Sequence, residues 1–120
     1  MTSSTRDAAA AMKARIRLDL TAAMKARRAA ETGVLRALLA ALDNAEAVPV
    51  GQAHDRHVVR AFGDPSAETP RLLLNEADVR RLLQREAAER EDAAIELERL
   101  GELDDAQRLR REASLVERYL

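Results

Sequence analysis

Two histidines three residues apart, His54 and His57, with Asp55 and Asp64 nearby, are the grouping whose side chain types best suit metal binding or proton transfer. A helix through them would turn both imidazoles to one side. Even so, His-x-x-His lacks the i, i+4 geometry and the third ligand of zinc motifs, so both are read as solvated linker residues. The sequence contains no cysteine, which excludes disulfides, thiolate metal sites and a cysteine nucleophile. Its serines fall at the N-terminal end or in the linker, Ser114 apart. No Gly-x-Ser-x-Gly turn or P-loop accompanies them, and acid-base or nucleophilic work needs a perturbed group held beside a partner. No catalytic residue, metal ligand or cofactor site is therefore assigned.

The cations suit a different chemistry. The formal net charge is only −1, but residues 1–36 carry eight basic side chains against three acidic ones, leaving the remainder acidic. Lys13, Arg17, Lys25 and Arg28 lie off the apolar stripe of the first predicted helix, where ammonium and guanidinium groups suit displacing counterions from a nucleic-acid backbone. A merely solvated helix face is the competing reading. Phe62 and Tyr119 are the only aromatic residues. Without stacking platforms, sequence-specific readout of single-stranded RNA is not expected, and shape and backbone recognition of folded RNA is what remains. The preference for arginine over lysine fits phosphate recognition, but a GC-rich coding bias is the better reading, since arginine is also simply a good helix former.

The elements that must position these cations are helical. Alanine, leucine and arginine dominate, and 120 residues make one modest core, so a single all-α domain over residues 1–120 is expected. Ser3 or Ser4 is placed to cap a first helix over about 4–28. Its stripe runs Met12, Ile16, Leu20 and Met24, with Ala9 and Ala23 beside them. The pattern lapses at 29–33, and Val34, Leu35, Leu38, Leu39 and Leu42 mark a second helix over about 32–47, antiparallel to the first. Residues 48–74 read as a long linker, either mobile or holding a short helix around 55–62.

A third helix over about 75–100 opens on Asn75 with Asp78 three residues on, and Leu74 is placed to staple against Val79. Its apolar face passes through Leu82, Leu83, Ala87, Ala94, Leu97 and Leu100, and Gly101 stands where a left-handed stop is expected. Asp104 and Asp105 open a fourth helix over about 103–120, with Leu109, Ala113, Leu115, Val116, Tyr119 and Leu120 as buried candidates. Two antiparallel helical hairpins result. Glu76 with Arg80, Glu86 with Arg90, and Asp104 with Arg108 are spaced as acid-before-base pairs on solvated faces.

The run from Leu35 and Arg36 through Ala40, Ala41, Asn44 and Glu46 resembles a stretch of the GatB/YqeY family. Arg90, Gly101, Asp104, Glu112, Tyr119 and Leu120 are similar in order and spacing to that family's third and fourth helices. The resemblance covers about residues 12–47 and 72–120. It departs at Glu102, where the family usually has arginine, and at Leu120, beyond which the family continues into a small helical tail domain that is expected to be absent here. The resemblance implies an association with glutamine-dependent amidation of misacylated tRNA, a carbon-nitrogen ligase activity with glutamine as amido donor. The chemistry would sit on other domains and subunits, with this chain accessory and non-catalytic.

The expected partners are accordingly tRNA or a ribonucleoprotein. The alternative is a protein interaction module or homo-oligomer, suggested by Leu115, Tyr119 and Leu120 near the end of the chain. No stretch approaches the length of a membrane span or a signal core, and a cytoplasmic location is the expectation.

Overall fold

The computed structural model describes residues 7–47 and 71–120. Four helices follow in order: α1 (Ala8–Lys25), α2 (Ala29–Glu46), α3 (Glu76–Arg99) and α4 (Leu103–Glu117). The fold is all-α. α1 packs on α2 and α3 on α4 as two antiparallel hairpins, and no β-strand occurs among the described residues. Ser3, Ser4, His54, His57 and the possible helix at 55–62 lie outside the described residues.

In α1 the fully buried apolar residues are Ala9, Ile16 and Ala23, spaced by seven. Seven residues nearly close two turns, so these three stay on one line, whereas each four-residue step rotates by about 40°. The stripe from Met12 to Met24 therefore winds around the helix. Met12 and Leu20 remain half-buried, but Met24 emerges 49% exposed. α2 answers with Val34, Leu35, Leu38 and Leu42, all buried, and Leu83 of α3 and Val116 of α4 complete the centre.

The first turn differs from the reading of the sequence. α1 stops at Lys25 and α2 already begins at Ala29, so the turn falls at 26–28 and residues 29–31, expected between the helices, are helical. Arg27 takes the left-handed conformation (φ 59°), its N–H donating to the Met24 carbonyl at 3.1 Å while the Arg28 N–H donates to Ala23 at 2.9 Å. That pair of bonds is a Schellman stop, a place usually held by glycine. α3 ends the same way with the expected residue. Gly101 has φ 83°, and the Glu102 N–H donates to the Leu97 carbonyl at 2.8 Å.

At the start of α3 the Asp78 N–H donates to Asn75 Oδ1 at 2.7 Å and the Asn75 N–H to Asp78 Oδ2 at 3.0 Å, the reciprocal box predicted there. Leu74 packs half-buried on the core that includes Val79. Just upstream, Ala47 and Arg71 form one antiparallel bridge, and the Leu72 N–H donates to the Glu46 carbonyl at 2.7 Å. The ends flanking residues 48–70 are thus drawn together. Two expected core positions prove exposed: Leu100 by 67% and Leu120 by 41%. Leu100 caps the C-terminal end of α3, and Leu120 follows the end of α4, so neither has an opposing helix over it. The molecule is elongated, 55 × 31 × 28 Å, and no helix among the described residues is long and apolar enough to cross a membrane.

Candidate nucleic-acid interface

The four candidate cations part company in the structure. Lys13 is 6% exposed, and its Nζ donates to Glu46 Oε1 at 2.5 Å and to Asp43 Oδ1 at 2.9 Å, joining α1 to the last turn of α2. It cannot face a phosphate while these bonds hold. Lys13 was expected off the stripe, but it stands four residues after Ala9 and three before Ile16, so the helical turn itself puts it on the buried face of α1, where Glu46, 33 residues on, supplies the opposite charge. Burial works to lower its pKa, but the hydrogen bonds to Glu46 and Asp43 outweigh burial, and the ammonium is held above its ordinary value. Arg71 stands 3.9 Å from the same Glu46 oxygen.

Arg17 and Lys25 stay exposed and make no ion pair among the described residues. Arg28 sits at the N-cap of α2, where no side chain caps the first-turn amides, so the positive end of the helix dipole faces outward. Arg111 of α4 and Arg118, the residue that follows that helix, join it there. Arg28, Ala29, Ala30, Glu31, Arg111, Ser114, Leu115 and Arg118 surround an open concavity of about 620 Å³. Glu31 neutralises part of this charge, accepting from Arg28 Nε at 2.9 Å and from Arg118 Nη2 at 3.0 Å. Burial acts to raise the Glu31 pKa, yet the hydrogen bonds from Arg28 and Arg118 prevail and hold it below its ordinary value. Arg111 has no ion-pair partner among the described residues. Three arginines against one glutamate, beside exposed Lys25 and Arg27 and an uncapped helix start, give this edge a net positive field.

Sequence reasoning missed Arg111 and Arg118. Their seven-residue separation, which places them on one face of α4, was the available signal, but it does not say which helix that face meets. The polar positions of the GatB/YqeY resemblance mostly hold helices together. Glu46 takes Lys13; Arg90 of α3 pairs with Glu86 at 2.9 Å and approaches Glu112 of α4 at 3.6 Å. The Arg90 Nε is buried without a hydrogen bond, held only by that ionic approach. Tyr119 is buried, its hydroxyl donating to Asp19 Oδ2 at 2.5 Å with the Arg15 guanidinium 4.6 Å above its ring. Leu35 lies in the core, Gly101 makes the turn, Asp104 is exposed in the first turn of α4, and Arg36 and Asn44 are exposed on α2.

Of the three predicted helix-face pairs only Glu86 with Arg90 forms. Arg108 turns instead to Glu112 at 3.2 Å and to Asp105 at 3.6 Å, and Glu76 with Arg80 is not joined. A second open groove of about 590 Å³ lies between the start of α1, the start of α3 and Tyr119 with Leu120. Its walls are mainly Ala8, Met12, Val79 and Leu83, with Arg15, Glu76 and Arg80 at the margin. No nucleophile paired with a base lines it, and no group of three potential metal ligands occurs among the described residues. Comparison with protein-family models, with curated proteins and with solved structures finds no match to this chain.

Proposed function

We propose that this protein is a non-catalytic helical module of the GatB/YqeY type, accessory to glutamine-dependent tRNA amidation, that touches folded RNA through its phosphate backbone. The observation that carries the reading is the meeting of Arg28, Arg111 and Arg118 at the uncapped start of α2, flanked by Lys25 and Arg27. Guanidinium groups present planar forks to phosphate oxygens, and the helix end adds fixed positive charge that needs no counterion of its own. The use of Glu46, Arg90, Glu112 and Tyr119 as ties between helices supports a scaffold in which the resembling positions maintain shape rather than perform chemistry.

Binding of unmodified tRNA across a salt series tests the proposal. Four contacts, from Lys25, Arg27, Arg28 and Arg111, predict a slope of about −3 in log affinity against log salt. Reversing Lys25 and Arg111 to glutamate should flatten that slope by roughly 2, because each removed phosphate contact removes about one released counterion. Affinity that is absent near physiological salt, or unmoved by the reversals, refutes the RNA reading. Unchanged amidation by a purified amidotransferase when this protein is left out would remove the accessory role.

A further inference from the structure

The outer end of the α3–α4 hairpin has a character opposite to the α1–α2 turn. Residues 91–107 carry seven carboxylates and a single arginine. Among them Leu100 and Leu103 are 67% and 59% exposed. Local pairing uses part of the charge: Glu91 and Glu98 face Arg110, Glu96 faces Arg99, and Asp105 faces Arg108. Asp92, Glu102 and Asp104 make no ion pair among the described residues. The main core reaches only to Ala87 on α3 and Val116 on α4, so this end projects beyond it as a two-helix finger. Exposed leucines ringed by unspent carboxylates suit a surface with an apolar floor and a basic rim.

The concavity beside the α1–α2 turn has that composition. Ala29, Ala30 and Leu115 supply its floor and Arg28, Arg111 and Arg118 its rim, with Glu31 offsetting one of the three charges. The finger cannot reach its own chain's concavity. Leu103 and Leu115 are twelve residues apart on one straight helix, a separation of about 18 Å that no side-chain motion closes. Both halves of a complementary pair therefore exist in each molecule and remain unjoined within it.

We infer that the protein forms a two-fold dimer in which Leu100 and Leu103 of each copy seat in the basic concavity of the other. Charge complementarity selects a second copy as the occupant: the finger is strongly negative, the receiving edge positive, and the near-zero charge of the whole chain sets up little general repulsion between copies. A two-fold axis makes the same contact twice and closes the assembly, so no free finger or concavity is left to propagate a chain of molecules. The inference does not require RNA binding. Where both occur, the finger's carboxylates occupy guanidiniums that a phosphate would use, and the two associations compete.

Sedimentation equilibrium on the full chain, over a concentration series at low and high salt, tests this, with circular dichroism confirming that each variant is folded. The expected result is a dimer at tens of micromolar in low salt that weakens as salt rises. Leu100→Ser with Leu103→Ser should weaken it about tenfold or more, as should Glu102→Lys with Asp104→Lys, or Lys25→Glu with Arg111→Glu. Both charge reversals combined in one chain should restore association, because the finger and the concavity then exchange signs together. A monomer up to about 200 µM at low salt, or a dimer indifferent to all three pairs of substitutions, overturns the proposal. The leucine pair lies away from the basic edge, so its variant reports on self-association separately from any loss of tRNA binding.

Discussion

Replacing Lys13 by methionine leaves the Glu46 carboxylate buried without its main partner, and the cost follows from the surroundings. The two side chains are 8% and 5% exposed, so neither charge is rehydrated once the other is removed. Breaking a buried pair from one side costs about 3–5 kcal/mol. Arg71, 3.9 Å from Glu46 and mostly in water, remains as a weak second counterion and places the loss near the lower end, about 3 kcal/mol. Asp43 adds little, since its side chain is 58% exposed and recovers water when Lys13 goes. Glu46→Leu should cost less, about 2 kcal/mol, because Asp43 still holds the ammonium from a largely solvated position.

The pair of substitutions Lys13→Met with Glu46→Leu removes both charges and fills the space with apolar atoms. It should return to within about 1 kcal/mol of the parent, well short of the sum of the two single losses. Urea unfolding followed by far-ultraviolet circular dichroism measures all four proteins of the cycle. A raised Lys13 pKa means the folded state holds its proton more tightly than the unfolded chain. The contribution is therefore complete below the unfolded value of about 10.4 and disappears as pH rises through the folded one. A Lys13→Met loss under about 1 kcal/mol, or single losses that simply add in the double variant, would refute the claim that this ion pair is buried and coupled.

Gly33 lies exposed within α2, and a Cβ built there meets nothing within 4 Å, so Gly33→Ala should stabilise the fold by about 0.5–1 kcal/mol through the unfolded chain's lost freedom. A chemical denaturation midpoint that falls instead would mean α2 does not pass through this residue. Tyr119 is the only tyrosine, and burial first, then its hydrogen bond to Asp19, push its pKa well above the ordinary 10.0. Its stabilising contribution is present below about pH 10 and is lost as pH climbs towards the folded value, so tyrosinate absorbance should rise only as the helices unfold. Ionisation near 10 in a fully helical protein would show that the phenol is open to water.

How far the sequence could be read differs between the two helix stops. Gly101 announces the end of α3 because glycine adopts the left-handed conformation without a Cβ penalty, whereas Arg27 ends α1 in the same geometry with no residue type to mark it. The second hairpin was accordingly placed to within a few residues, and the first turn was set about three residues late, at 29–31 instead of 26–28. Met24 shows a related limit: counting every fourth residue finds a stripe but not its rotation out of the core.

Local order in this protein, the four amphipathic helices, the Asn75 and Asp78 cap and the Gly101 stop, was determined by the sequence alone, because each depends on neighbours within about four residues along the chain. The direction in which charged side chains point was settled by tertiary packing. Lys13 shares the buried face of α1 with Ala9 and Ile16, but only packing brings Glu46 from the far end of α2 to meet it. Arg111 and Arg118 become part of one edge with Arg28 because α4 crosses the start of α2. Such partners are separated by 33 to 90 residues, and helical periodicity carries no information about which helices will meet or at what height.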